Sequence, residues 1–308
     1  MTQDKNASSR DITYEEFLDQ WEETDLLKYS TLEQNLDDPY IENMIHNANG
    51  VGDKIVRSQC TKGIQSTELA EVSLRKFVFI ESKRASYQQD FIERLFAIGI
   101  DQNRLNVFLD AIANKWTNGG KKNSGIIERI QASIQAHDAI YRKANSEIFV
   151  KNSIAKNIEP FFDIQEIEDI FNINSNMLTN FFEEYILALY GEMEGSINRI
   201  TVRRGIHTPI LISEGLRYEH NHLCSFSLAL TTSEKFSQIR RKIKNGYCCI
   251  LSTDLPVIQN RVIAFAPFIP EMSITQMEFV VASPLEPQQI IYSGEFAGIH
   301  EFTFGILN

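Results

Sequence analysis

The chain changes texture at about residue 198, and this change constrains the fold more than any other feature. Before it, apolar residues recur at helical spacing. "TYEEFLDQWEETDLL" opens with Thr13 and Glu16 in capping-box positions and sets Phe17 and Trp21 at i, i+4. Further helices are expected over 66–98 (with a break), 101–115 and 125–148, and in "NMLTNFFEEYILALYGEM". After it come "NRITVRRG", "TPILIS", "LCSFSLA", "YCCILST", "NRVIAFAPF", "MEFVVAS", "QQIIYSG" and "HEFTFGIL". These segments are short, β-branched or aromatic, and bounded by Gly, Pro, Asn and Asp, as strands are. One helix interrupts them, "TSEKFSQIRRKI", capped by Thr231 or Thr232 and stopped at Asn245-Gly246. Helices first and mostly strands after describe an α+β chain.

Between two expected helices, "TNGGKKNSG" at 117–125 is the best linker in the sequence. It divides the chain into a helical N-terminal domain, 1–117, and a strand-rich domain, 124–308. At 308 residues there is enough chain for both to bury a core. The net charge of −11 excludes a surface uniformly basic for duplex nucleic acid or anionic membrane. That charge is uneven: residues 1–50 hold 12 acidic against 3 basic side chains, whereas 195–250 hold nine basic against Glu214, Glu219 and Glu234, a local +6 that attracts anions. Cys60, Cys224, Cys248 and Cys249 show no CxxC spacing, which favours a reducing compartment. Neither a basic-then-apolar leader nor an apolar run near 20 residues is present, so a soluble, cytoplasmic chain is expected, with no membrane partner. A toxin exported by a signal-free route would look the same.

Three pieces of the strand-rich half belong together. "TVRRGI" carries Arg203 and Arg204 before a glycine; "LCSFSLALTTSEKF" alternates Ser225 and Ser227 onto one strand face and sets Phe236 eleven residues after Ser225; "ITQMEFVVASP" places Gln276 and Glu278 at the entrance to an apolar strand. In this order they resemble the Arg-Ser-Glu class of mono-ADP-ribosyltransferases, the family of C3-like toxins, phage-encoded transferases and pierisin-like enzymes. The resemblance spans roughly 120–308. It implies helices preceding a mostly antiparallel, split β-sheet core. Here Arg203 stands where an aromatic is usual and Phe226 where a threonine is usual, so either Arg203 or Arg204 can be the family's arginine.

The resemblance implies NAD⁺ as co-substrate and no metal. Cleaving the bond between nicotinamide and ribose passes through an oxocarbenium-like centre, which a nearby carboxylate stabilises. Glu278 would supply it, oriented by Ser225. Arg204 or Arg203 would grip the phosphates, with Ser227 and Phe236 completing the dinucleotide site. Gln276, two residues before Glu278 on a strand, would share its face and meet the acceptor. The loop "PFIPEMSI" would recognise that acceptor, with Phe268 as its stacking residue. Gln-x-Glu members modify acceptors other than arginine, so the implied acceptor is a nucleobase of RNA or DNA, or a non-arginine protein side chain. The local +6 favours the nucleobase.

Such an enzyme implies a toxin, or a phage-conflict or toxin–antitoxin component, restrained by an inhibitory partner for which the acidic first 50 residues are a docking candidate. The competing readings are an NAD⁺ glycohydrolase with no acceptor, and a non-catalytic interaction protein with a degenerate transferase fold. "EHNHLC" also alternates His220, His222 and Cys224 on one strand face, but no second ligand cluster accompanies them.

Overall fold

The computed structural model describes residues 66–116, 125–141, 158–190, 200–208, 217–218, 223–228, 233, 236–237, 246–272, 274, 277–286, 288–296 and 298–305. The helix expected at 13–27, the linker at 117–124, the segment 209–216 and the metal candidates His220 and His222 lie outside the described residues.

Among the described residues four helices precede the strands: α1 (Ser66–Ala97), α2 (Gln102–Asp110), α3 (Gly125–Tyr141) and α4 (Ile164–Tyr190). The first runs unbroken where the sequence suggested an interruption. Two of the next start for a local reason. At α2 the Asp101 carboxylate accepts from the backbone N–H groups of Asn103 and Arg104, which satisfies donors that the first turn leaves open. At α4, Glu166 accepts from the N–H of Asp163 and Asp163 accepts from that of Glu166, each at 2.8 Å, a reciprocal capping box. Arg104 then joins the two helix starts, donating to both carboxylate oxygens of Glu166 at 2.6 and 2.7 Å.

The strands are β1 (Thr201–Thr208), β2 (Arg217–Tyr218), β3 (Leu223–Ser227), β4 (Tyr247–Asp254), β5 (Val262–Phe265), β6 (Glu278–Ala282), β7 (Gln288–Phe296) and β8 (Ile299–Phe304). A single helical turn, α5 (Leu255–Ile258), follows β4, and 3-10 turns flank β5. Their sheet order is β2-β7-β8-β4-β1-β3-β6-β5, antiparallel except for β4 beside β8. The expected split survives only in weak form. β1 pairs with β4 along its whole length but with β3 at the single position Arg203 opposite Ser227, so two halves of one sheet meet at that point.

One face of the sheet is apolar and carries the core. Phe226 and Phe279 stand opposite each other there, with Phe226 near Phe304 and Phe279 stacked on Phe265 at 4.3 Å. α4 covers this side through Phe182, whose ring lies 6.3 Å from that of Phe279. α1 adds Phe79, Tyr87 and Phe91, so side chains from both sides of 117–124 enter one continuous core. Polar ties fix the layers. Asn174 on α4 donates to the Ile263 carbonyl of β5, and buried Arg261 donates to Asp138 of α3 at 2.7 Å while lying over the Phe171 ring.

Candidate active site

The register of the central strands builds the site. Arg203 is opposite Ser227 on one side and Ser252 on the other, and Ser227 is opposite Glu278. Directly opposed residues in antiparallel strands project from the same face, so Glu278, Ser227, Arg203 and Ser252 form one row across four strands. Ser225, two residues before Ser227, shares that face. This is the polar face of the sheet, opposite the aromatic core.

Along the row the polar groups engage one another. The Ser225 hydroxyl donates to Oε1 of Glu278. A third residue joins them from the helical part of the chain: Trp116 Nε1 lies 3.1 Å from Ser225 Oγ and 3.2 Å from the same Oε1. Glu278 is only 7% exposed. Burial pushes its carboxyl above the ordinary glutamate range, and the hydrogen bonds from Ser225 and Trp116 pull in the opposite direction. Arg203, 5% exposed, has its Nε 3.9 Å from Oε1 of Glu301, and that oxygen also accepts from the Ser252 hydroxyl at 2.7 Å.

A cavity of about 440 Å³ opens beside the junction of the two half-sheets, lined by Trp116, Arg203, Arg204, Ser225, Phe236 and Glu278 among others. Its size is in the range of small-molecule sites. Phe236 is 47% exposed there, an apolar ring accessible to a ligand. The turn containing Ser233, Phe236 and Ser237 lies directly against β1 at Gly205. A Cβ on that glycine would come within 1.8 Å of the Ser233 carbonyl oxygen. The glycine after the two arginines therefore permits a close backbone approach that no other residue allows.

Adjacent strand residues point to opposite faces, so Arg204 leaves from the side opposite Arg203. It is half-buried, and its Nη1 makes no hydrogen bond among the described residues. Arg203 is thus the arginine in register with Ser227 and Glu278, although both border the cavity. His207 also lines it. Of the remaining metal candidates, Cys224 is buried on β3, and no cluster of three or more possible ligands occurs among the described residues.

One sequence expectation needs correction. Phe268 is not an acceptor-stacking residue: it is 0% exposed and stacks on Tyr87 of α1 at 5.4 Å, with Phe91, Phe181 and Phe265 around it. The 3-10 turn Ala266–Phe268 folds the ring inward, where its apolar area leaves water. The expectation for Gln276 falls on a position outside the described residues, next to a turn. β6 begins at Glu278, and Met277 before it has φ 42°, a left-handed conformation. Met277 N–H closes a turn on the Ile274 carbonyl at 3.0 Å; Gln276 itself lies outside the described residues.

α1 holds the segment that leads into this turn. Arg84 donates to the Met272 carbonyl at 2.8 Å and Gln88 to the Ile269 carbonyl at 3.2 Å. Trp116 was not anticipated at all. It ends a π-helical turn, Ala111–Trp116, that continues α2, and only the fold brings it to strands more than a hundred residues later.

No protein-family model matches the chain, and no curated protein matches its sequence. Among solved structures it is similar to Vis toxin, an ADP-ribosyltransferase from Vibrio splendidus, and to ADP-ribosyltransferase Vis in complex with M6 inhibitor. Each similarity has a TM-score of 0.36 and 11% sequence identity, over 77% of this chain and 85% of the other.

Proposed function

We propose that the chain is an NAD⁺-dependent mono-ADP-ribosyltransferase whose reacting centre is Glu278. The observation that carries this reading is the row Glu278–Ser227–Arg203 at a cavity, with the Ser225 hydroxyl donating to the glutamate. A buried carboxylate fixed before substrate arrives stabilises the positive charge that develops on the ribose as nicotinamide departs, with no reorganisation during the step. Donors converge on Oε1, so Oε2 is the oxygen left for a ribose hydroxyl. Arg203 binds the phosphates in preference to Arg204, because it shares the face of Glu278; Ser227 stands between them. Phe236 offers a flat apolar surface to a ring of the dinucleotide. The residues thus fit NAD⁺ as co-substrate, and the departing group leaves from an already cationic cofactor, so a metal is not needed to activate it.

The acceptor we infer is a nucleobase of RNA or DNA, with a non-arginine protein side chain as the alternative. Support comes from the resemblance to Gln-x-Glu enzymes at Gln276 and Glu278 and from the excess of basic residues in 195–250, which suits a polyanion. Such an activity suits a toxin held in check by a partner, for which the acidic sequence of the first 50 residues is a docking candidate.

The test is to incubate the protein and Glu278→Ala with NAD⁺ labelled on the adenylate, adding cell lysate treated with nuclease or with protease. Label that requires Glu278 and resists protease but not nuclease supports a nucleic-acid acceptor; the opposite sensitivity supports a protein acceptor. Nicotinamide release without transferred label means a glycohydrolase. If Glu278→Ala equals wild type in both measurements, the site is not catalytic. Arg203→Ala should raise KM for NAD⁺ more than Arg204→Ala does, and the reverse ranking would exchange their roles.

A further inference from the structure

Glu278 receives hydrogen bonds from two directions. One comes from Ser225 in the neighbouring strand, the other from Trp116 at the end of α2's π-helical extension. Indole nitrogen is a donor only, so Trp116 cannot accept from Ser225; its single N–H is shared between Ser225 Oγ and Glu278 Oε1. Both hydrogens therefore converge on one carboxylate oxygen. The charged and titratable groups around this carboxylate are Arg203 in the same row, Glu301 beyond it, and Arg204 and His207, which line the same cavity.

The segment bearing Trp116 is held in place. Ala111, Ile112 and Ala113 are buried in the core, and Lys115 pairs with Asp110 at 3.0 Å. A wider π-type turn at this point ends on a side chain that borders the cavity, and such turns recur at functional sites. An indole needed only to fill space would not have to direct its N–H at a buried carboxylate.

We propose that Trp116 is a positioning residue for Glu278: with Ser225 it fixes Oε1 and thereby presents Oε2 to the cavity. This rests on the reading of Glu278 as the reacting carboxylate. Helices preceding the strand-rich half thus complete the site, and a fragment beginning after Trp116 would contain the row of strand residues without its second donor.

The experiment uses the full chain, with nicotinamide release from NAD⁺ followed against pH. Trp116→Phe keeps most of the ring and removes the N–H. Loss of a hydrogen bond to a charged group predicts a fall in kcat of about 10- to 100-fold, with KM for NAD⁺ little changed. The acidic limb of the profile should move to higher pH, because a donor that favours the ionised carboxylate is gone. Trp116→Phe combined with Ser225→Ala should be non-additive, since both donors act on one oxygen. Independently of any change at position 116, the indole N–H resonance of Trp116, assigned with Trp21→Phe, should shift as Glu278 titrates and remain flat in Glu278→Gln. An unshifted profile in Trp116→Phe, or an indole resonance indifferent to Glu278→Gln, overturns the proposal. If Glu278→Gln itself releases nicotinamide at the wild-type rate, the reading of the site fails instead, so the two failures are separable.

Discussion

Gly205→Ala adds one methyl group at the closest approach in the site, and its consequence can be worked from distances. The new Cβ would lie 1.8 Å from the Ser233 carbonyl oxygen, 2.7 Å from the Ser237 nitrogen and 2.8 Å from the Ser233 carbonyl carbon. All three are backbone atoms, so no side chain can rotate away. To reach even 3.0 Å from the Ser233 oxygen, the turn and β1 must separate by about 1.2 Å. Overpacking of this kind costs about 1–3 kcal/mol, and a displacement near 1 Å of a substrate-positioning element costs on the order of 100-fold in rate. The turn carries Phe236, and β1 carries Arg203 and Arg204, so the loss should fall on kcat/KM for NAD⁺. The assay is nicotinamide release against NAD⁺ concentration, with a thermal melt to separate folding from function. Gly125→Ala is the control: a Cβ there, at the first residue of α3, meets nothing within 4 Å. Gly205→Ala with wild-type kcat/KM and wild-type Tm would refute the idea that this contact shapes the proposed dinucleotide site.

Three further outcomes follow from the same geometry. Glu278→Gln should melt higher than wild type at neutral pH: the folded chain holds the Glu278 proton to higher pH than the unfolded chain does, so stability is lost as pH rises from about 4.3 through the raised folded-state value, and the two melting curves should converge in acid. Asp138→Ala should lower stability by about 3–5 kcal/mol, measured by denaturant titration, because it strands buried Arg261 without its carboxylate partner; a change under about 1 kcal/mol would mean that the Ser283 carbonyl and the Phe171 ring satisfy the guanidinium alone. Phe268→Ala should destabilise by about 3–5 kcal/mol while leaving any acceptor preference of the remaining folded protein as it was, and altered preference in a normally stable variant would restore the ring to the acceptor site.

What the sequence made legible was what depends on short range. Ser225 and Ser227 share a face because strand side chains alternate, and Glu278 opens an apolar strand because "EFVVA" can only be buried. The choice between Arg203 and Arg204 was closed to sequence reasoning: alternation says that they point apart, but which one meets Glu278 depends on the register of β1 against β3. Phe268 looked accessible because it follows a proline in a loop, and tertiary packing against α1 reversed that. The turn before β6 was equally hidden, since the positive φ of Met277 falls on a residue type with no marked preference for it. Trp116 left no local signal, since its hydrogen bonds cross 109 and 162 positions of chain.

The two faces of the sheet explain why the site can be polar and still sit beside a dense core. Arg203 and Glu301 are buried charges, and Glu278 is a buried carboxyl, each costly away from water unless opposed or hydrogen-bonded. On the cavity face, Ser225, Ser252 and Trp116 supply hydrogen bonds to these carboxylates. On the other face, Phe226, Phe279, Phe265 and Phe182 supply the apolar burial that holds the strands in register. A one-residue slip of β3 against β6 would exchange the faces, driving Phe226 into the cavity and Ser225 and Ser227 into the aromatic layer. The core therefore fixes the chemistry: the same packing that stabilises the sheet allows only the register in which Ser227 faces Glu278. The helices act in the same direction. Arg84 and Gln88 hold the carbonyls of Met272 and Ile269 in the loop before β6, so the strand bearing Glu278 is pinned at its entrance as well as along its length.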